Sequence, residues 1–289
     1  MKCLVTGGAG FIGTNLIKRL LKEGHDVISF DNYSTGCKEN HQEGCEYVDI
    51  NIKDGNSLAW IFSIYTDFDV IFHLAALARI QPSIKNPIQN IENNFNGTLN
   101  ILEYARKNDI QVVYAGSSSF HCGLYGSPYA WSKYGGEELC KLYSEVYDLN
   151  TAICRFYNVY GPHQILDGAY AAVVGIFQRQ YLDNQPLTIV GDGTQRRDFT
   201  HVYDIVDGLY RCMNKKFKAN IFELGSGVNY SINKLADMFN DTEKTYIPAR
   251  SGEYPVTLCQ DRKALEKLNW KPKCNLTNYM KEWIKENVK

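Results

Sequence analysis

Tyr129 and Lys133 stand four residues apart in a stretch with helical periodicity, so both side chains leave one face of a helix. A phenol titrates near ~10, and an ammonium beside it favours the ionised form. Such a phenolate can take a proton from an alcohol while hydride leaves the same carbon. Ser117-Ser118-Ser119 follows the preceding β-branched run, at the carboxyl end of an expected strand, where open α/β sheets bind ligands. Ser119 is therefore the candidate that hydrogen-bonds the reacting oxygen. A Tyr-x-x-x-Lys pair is common by chance and serines are common in loops, so the assignment depends on what surrounds them.

Hydride chemistry needs a carrier, and the chain opens on a segment fit to hold one. Thr6-Gly7-Gly8-Ala9-Gly10-Phe11-Ile12-Gly13 contains both G-x-G-x-x-G and G-x-x-G-x-x-G. Glycines let the backbone turn tightly and approach a pyrophosphate, and the helix that starts here directs its free N–H groups at it. The string lies after a strand, before a helix, and about 20 residues ahead of Asp31 at the end of the next strand, the context that gives it meaning. Asp31 would accept hydrogen bonds from the adenosine ribose and repel a 2′-phosphate. Residues 32–36 carry no Arg or Lys to receive that phosphate, so NAD is expected rather than NADP.

These residues must be positioned by a sheet. Short apolar runs at Cys3–Val5, Asp26–Phe30, Glu46–Val48, Val70–Phe72, Gln111–Tyr114 and Thr151–Cys154 alternate with helical stretches at Ile12–Glu23, Ser57–Tyr65, about 87–107 and 129–147. Repeated β-α units with strands buried on both faces imply a doubly wound parallel α/β sheet of the Rossmann type. After Gly161-Pro162 the rhythm loosens: helix Ala171–Tyr181, strand Leu187–Val190, helix Val206–Met213, strand Ile221–Leu224 and two terminal helices follow. The reading is a dinucleotide-binding domain over 1–160 and a substrate-binding α/β region over 161–289, some elements of which return to the first sheet.

Composition bounds the remaining possibilities. The 289 residues are 44% hydrophobic and 22% charged, an ordinary globular balance that argues against disorder and coiled coil. Lys+Arg 31 against Asp+Glu 32 leaves a net charge of -1, with no electrostatic footprint for nucleic acid or an anionic membrane. Nine cysteines without a C-x-x-C pair and six scattered histidines support neither a disulfide framework nor a metal site. The start shows no signal-peptide pattern and no apolar stretch is long enough to span a bilayer, so a cytoplasmic protein is expected. The Asn-x-Ser/Thr triplets at Asn32, Asn96 and Asn275 are then chance matches.

The set Thr6–Gly13, Asp31-Asn32, Asp49-Ile50, His73–Ala76, Asn94-x-x-Gly97-Thr98, Ser117–Ser119, Tyr129–Lys133 and Arg155–Pro162 resembles the extended short-chain dehydrogenase/reductase superfamily. Within it the chain is similar over nearly its whole length to NAD-dependent nucleotide-sugar epimerases of the UDP-glucose 4-epimerase type. Gly191-Asp192-Gly193, Arg197-Asp198-Phe199 and Pro248-x-Arg250-x-Gly252-Glu253 match that family's C-terminal landmarks. The resemblance implies that Gly7, Gly10, Phe11, Ile12, Asp31 and Asn32 hold the adenosine and pyrophosphate, with Asp49 and Ile50 flanking the adenine. Leu74, Ala75, Ala76 and Phe156 would line the cofactor groove, Asn94 would close over it, and Lys133 would also touch the nicotinamide ribose. Asn158, Arg197 and Arg250 would meet the sugar-nucleotide phosphates, and Val173 would border the substrate. The implied reaction is a 4-epimerisation of a UDP-hexose or UDP-N-acetylhexosamine through a transient 4-keto sugar. A homodimer joined by the helix before Lys107 and the helix carrying Tyr129 is likewise implied.

The chain departs from the family pattern between Ser119 and Tyr129, where Phe120–Pro128 make an unusually short loop beside the sugar. Phe120 and His121 occupy the places where sugar 4,6-dehydratases carry an Asp-Glu pair, which argues against water elimination. His121 is expected to pack or bind substrate, with an acid/base role as the alternative. Gly168–Val173 resembles a stretch of enzymes acting on N-acetylated hexosamines and points to an N-acetylhexosamine or uronic substrate. The alternatives to a 4-epimerase are an oxidoreductase, a 4,6-dehydratase or a 3,5-epimerase releasing an altered sugar, and, outside enzymes, a NAD-sensing protein on the same fold.

Overall fold

The computed structural model describes all residues except 214, 251, 253, 288 and 289. The first half runs β1 (Lys2–Thr6), α1 (Phe11–Lys22), β2 (Asp26–Asp31), β3 (Cys45–Asp49), α2 (Gly55–Ile64) and β4 (Val70–His73). It continues with α3 (Ile80–Lys85), α4 (Pro87–Ile91), α5 (Gly97–Lys107), β5 (Gln111–Ser117), α6 (Pro128–Tyr147) and β6 (Thr151–Phe156). The second half contributes β7 (Asn158–Tyr160), α7 (Val173–Leu182), β8 (Leu187–Val190), β9 (Arg196–His201), α8 (Val202–Arg211) and β10 (Asn220–Leu224). The chain ends with β11 (Asn229–Ser231), α9 (Ile232–Ala236), β12 (Lys244–Ile247), α10 (Lys263–Leu268) and α11 (Leu276–Asn287).

Period-two burial decides the layering. Along β1, Cys3 and Val5 face α1 and α8, while Leu4 faces the layer of α2, α5 and α6; along β4, Val70 and Phe72 go to the first layer and Ile71 to the second. Each fully buried side chain of this size contributes about 1.5–3 kcal/mol relative to exposure. Seven parallel strands result, in the order β10-β6-β5-β4-β1-β2-β3. This is the expected doubly wound Rossmann-type sheet. The chain crosses back from its second half, since β10 pairs with β6 and α8 packs on the α1 face. A third core gathers α7, β8, α9 and α11 around Phe177 and Phe239, beside a three-stranded sheet β11-β9-β7 and a β12-β8 pair.

Two differences from the sequence reading bear on the site. The expected helix over 87–107 is continuous but opens into a π turn at Glu92–Asn96, between α4 and α5. Strand β9, sequence RRDFTH, carries too many charged and polar residues to announce itself by alternation, yet its last four residues are buried.

Candidate active site

A cavity of about 710 Å³ runs across the carboxyl ends of the sheet strands, from the glycine turn to the second-half loops. At one end β1 stops and Gly7 turns with φ 74°. A Cβ on Gly7 would stand 2.9 Å from the Ala75 backbone, so only glycine permits this approach. Gly10 caps α1 with no side-chain hydrogen bond, which leaves the first-turn N–H groups of the helix open toward the cavity that Gly10, Phe11, Ile12 and Gly13 line. Asp31, at the end of β2, accepts from Ala9 N (2.9 Å) and Tyr33 N (2.8 Å). Burial raises its pKa, and those two backbone donors offset part of the rise. Each carboxylate oxygen has two acceptor sites, so both can still receive a hydroxyl. A bare cradle of this shape with an acid at its rim fits the adenosine diphosphate half of NAD.

At the centre, α6 begins with Ser127, whose Oγ accepts from Ala130 N (3.1 Å), and with Pro128 in its first turn. The Tyr129 amide donates to Ser83 Oγ (3.1 Å). Tyr129 and Lys133 thus lie one turn apart on the cavity wall. Lys133 is 5% exposed, its Nζ lies 4.2 Å from the Tyr114 ring centroid, and the Tyr114 hydroxyl donates to the Lys133 carbonyl (3.2 Å). Burial lowers the Lys133 pKa to about 8. Burial raises the Tyr129 phenol, while the Ser117 hydroxyl and the charge of Arg79 pull it back down.

The serine run is resolved by geometry. Tyr129 Oη reaches Ser117 Oγ at 3.4 Å, and Ser117 Oγ also accepts from Ser119 N. Ser119 Oγ is buried on the same wall without a hydrogen-bond partner. A buried hydroxyl that faces a cavity in this way is placed to meet a ligand oxygen.

Of the other sequence-derived candidates, Asn32, Ile50, Leu74, Ala75, Ala76, Phe156, Asn158, Val173, Arg197 and Arg250 line the cavity. Arg197 Nη1 donates to the Tyr254 carbonyl (2.6 Å), and Asn158 Nδ2 bonds the Asp198 carbonyl and Thr257 Oγ1, each at 3.1 Å. Glu253 of the C-terminal landmark lies outside the described residues. Three candidates stand elsewhere. Asp49 ends β3 exposed, in register with Asp31 and off the wall. Asn94 does not close over the groove: the π turn directs it one layer back, where it accepts from Leu77 N (2.8 Å) and donates to Ser132 Oγ (3.0 Å), shaping the loop that follows β4.

His121 likewise turns away from the cavity. The segment between Ser119 and Tyr129 is taken up by two short 3-10 turns, Ser118–Cys122 and Leu124–Gly126, with Gly123 at φ 99° between them. This puts His121 Nε2 at 2.6 Å from Glu223 Oε1 on β10. Glu223 also accepts from Arg155 Nη1 (3.1 Å) and the Tyr157 hydroxyl (2.5 Å), and Arg155 grips Glu137 with Nε and Nη2. Burial would raise Glu223, but the His121, Tyr157 and Arg155 donors hold its carboxyl at about 2. Sequence reading missed Glu223, Glu137 and Arg79; Glu223, the one charged residue of strand β10, was the only local hint of a buried partner.

A family model described as the NAD dependent epimerase/dehydratase family matches residues 3–225. A putative UDP-glucose 4-epimerase of Methanocaldococcus jannaschii is 37% identical over 98% of both chains. A UDP-glucuronate 4-epimerase of Thermodesulfobacterium geofontis is 32% identical over 99% of this chain and 96% of its own. The crystal structure of UDP-glucose 4-epimerase from Thermotoga maritima, solved with UDP-glucose, superposes with a TM-score of 0.94 at 31% identity over the full length of both chains.

Proposed function

The chain belongs to the NAD-dependent epimerase/dehydratase family, as a NAD-using enzyme of the extended short-chain dehydrogenase/reductase type, and on that premise we propose that it is a nucleotide-sugar 4-epimerase. The observation that carries the reading is one cavity that joins the glycine cradle, the Tyr129–Lys133 pair and the cationic rim at Arg197 and Arg250. The nucleotide is uridine diphosphate, in line with the relatives that share the whole length of the chain.

NAD, held by Gly7–Gly13 and Asp31, supplies the hydride acceptor and donor at the sugar carbon. Tyr129 removes the proton of the C4 hydroxyl and returns it after the 4-keto sugar has turned. Lys133, as the ammonium, favours the phenolate across one helical turn. Ser117 and Ser119 give the C4 oxygen hydrogen bonds on the side of the phenol. Asn158, Arg197 and Arg250 hold the diphosphate while the sugar rotates, the planar guanidinium forks matching phosphate oxygens. With Phe120 and His121 in place of two carboxylates, and His121 facing Glu223, the described residues of the wall offer no carboxylate besides Asp31 at the cofactor end for eliminating water beyond C4.

The same reading includes a homodimer. Helices α5 and α6 leave Leu99, Trp131, Leu142, Val146 and Tyr147 exposed, a large apolar set for one face of a free chain. Light scattering at micromolar concentration should give twice the chain mass. Proton NMR with UDP-sugars and catalytic NAD tests the activity: C4 epimers interconverting without net NADH support it, whereas accumulating NADH or a 6-deoxy-4-keto product overturns it.

A further inference from the structure

Arg79 has no part in the chemistry above, yet it lines the cavity that Tyr129 lines. It follows Leu74–Ala76 in the loop after β4, lines the wall, and lies near enough to Tyr129 for its charge to act on the phenol. Much of its side chain is exposed, but into the cavity; protein surrounds the guanidinium and burial disfavours its charge. Nε donates to the Tyr170 carbonyl at 2.9 Å, tying this loop to the segment that leads to Val173. Among the described residues that is its single hydrogen bond, and no carboxylate pairs with it. A partly desolvated cation without a counter-charge is costly, and four of its five N–H donors remain to be used.

Two anions already have their places in the cavity. The cofactor diphosphate belongs to the glycine cradle, and the nucleotide diphosphate to Asn158, Arg197 and Arg250. Arg79 instead shares the cavity wall with the phenol that addresses C4, within reach of its charge. We propose that Arg79 selects the sugar, pairing its guanidinium with a carboxylate on the hexose, so that the preferred substrates are nucleotide-linked uronates. This rests on the proposed placement of C4 at Tyr129. In a uronate the carboxylate is carried by C5, the neighbour of C4, so phenol and guanidinium address adjacent positions of one ring. The flat fork of Arg79 matches a carboxylate in two parallel hydrogen bonds, which a primary alcohol at the same carbon cannot accept.

Titration calorimetry on the NAD-loaded Tyr129→Phe protein, in which turnover is slowed by orders of magnitude, tests this with UDP-glucuronate, UDP-glucose and UDP. UDP-glucuronate should bind about 10- to 100-fold more tightly than UDP-glucose. Adding Arg79→Met should bring that ratio to about one while UDP affinity stays within about twofold, and Arg79→Lys should restore part of the preference. A ratio near one with Arg79 in place overturns the proposal without any variant. So does an equal loss for UDP and UDP-glucuronate, which would make Arg79 a ligand of the nucleotide phosphates, or loss of bound NAD, which would assign it to the cofactor. Because no turnover is read, a protein that prefers UDP-glucuronate through Arg79 but fails to interconvert C4 epimers would count against the epimerase reading alone.

Discussion

At the glycine end of the cavity, Gly7, Gly10 and Asp31 come from the ends of two adjacent parallel strands and act largely through backbone and one carboxylate. At the Tyr129 end, the wall is assembled from side chains of segments far apart in the chain: Arg79, Ser117–Ser119, Tyr129, Val173, Arg197 and Arg250. The first end is a product of the sheet itself, because parallel strands terminate together and leave loops and helix N-termini to face a ligand. The second is a product of loops, which can exchange side chains without disturbing the seven strands. A shared cofactor with variable sugars is what such a division allows.

The contrast can be broken most sharply at its centre. Tyr129→Phe should lower kcat by about 10²- to 10⁴-fold while bound NAD, measured by release on denaturation, stays unchanged. Loss of NAD in that variant would mean that the two ends are not separable. Asp31→Ala should act in the opposite sense, weakening NAD by about 10- to 100-fold with little change in the affinity for UDP. It also frees the Ala9 and Tyr33 amides, so a fall in thermal midpoint should accompany the loss.

His121→Ala sharpens the comparison from behind the sugar end. Its ring is half-exposed and paired with Glu223, so stability should drop by only about 1 kcal/mol and C4 chemistry should survive. Complete loss of turnover would place His121 in the reaction after all. A separate effect, on stability rather than turnover, lies in acid. Burial holds His73, between Thr6 Oγ1 and Thr98 Oγ1 beneath the cofactor end, at about 3. The unfolded chain takes up that proton near its ordinary value of 6.5, so His73 costs stability increasingly as pH falls from there toward 3. Glu223, held at about 2, contributes stability that is full above the unfolded carboxylate value of 4.5 and is lost below it. Urea midpoints measured against pH should therefore begin to fall near 6.5, with His73→Gln removing the upper part of the slope and His121→Ala reducing the lower part, where Arg155 and Tyr157 still hold Glu223.

The same division explains what was legible in the sequence. The glycine string, Asp31 and the Tyr129–Lys133 spacing are local patterns, and helix and strand periods alone suffice to place them at strand ends and on one helix face. Strand β9 holds Arg196, Arg197, Asp198 and Thr200 within six residues and so lacks apolar alternation, although Arg197 and Phe199 line the cavity. Asn94 falls elsewhere than expected because a π turn adds one residue to the helical repeat, which a 3.6 period does not anticipate. Which of three consecutive serines meets Tyr129 depends on where β5 ends and a 3-10 turn begins, a boundary that spacing leaves open. The His121–Glu223 contact joins residues 102 apart, and Arg79 sits in LARIQP, a string that reads as an ordinary loop. Each of these exists only once the loops are folded against the sheet.

The central claim is that hydride and proton both return to the carbon and oxygen they left. Deuterium placed at C4 of the UDP-sugar and followed by NMR through many turnovers tests it most directly. The account predicts that the label stays at C4 in both epimers, with no exchange into water and no labelled NADH released. Loss of the label to solvent, or its accumulation in free reduced cofactor, would contradict it.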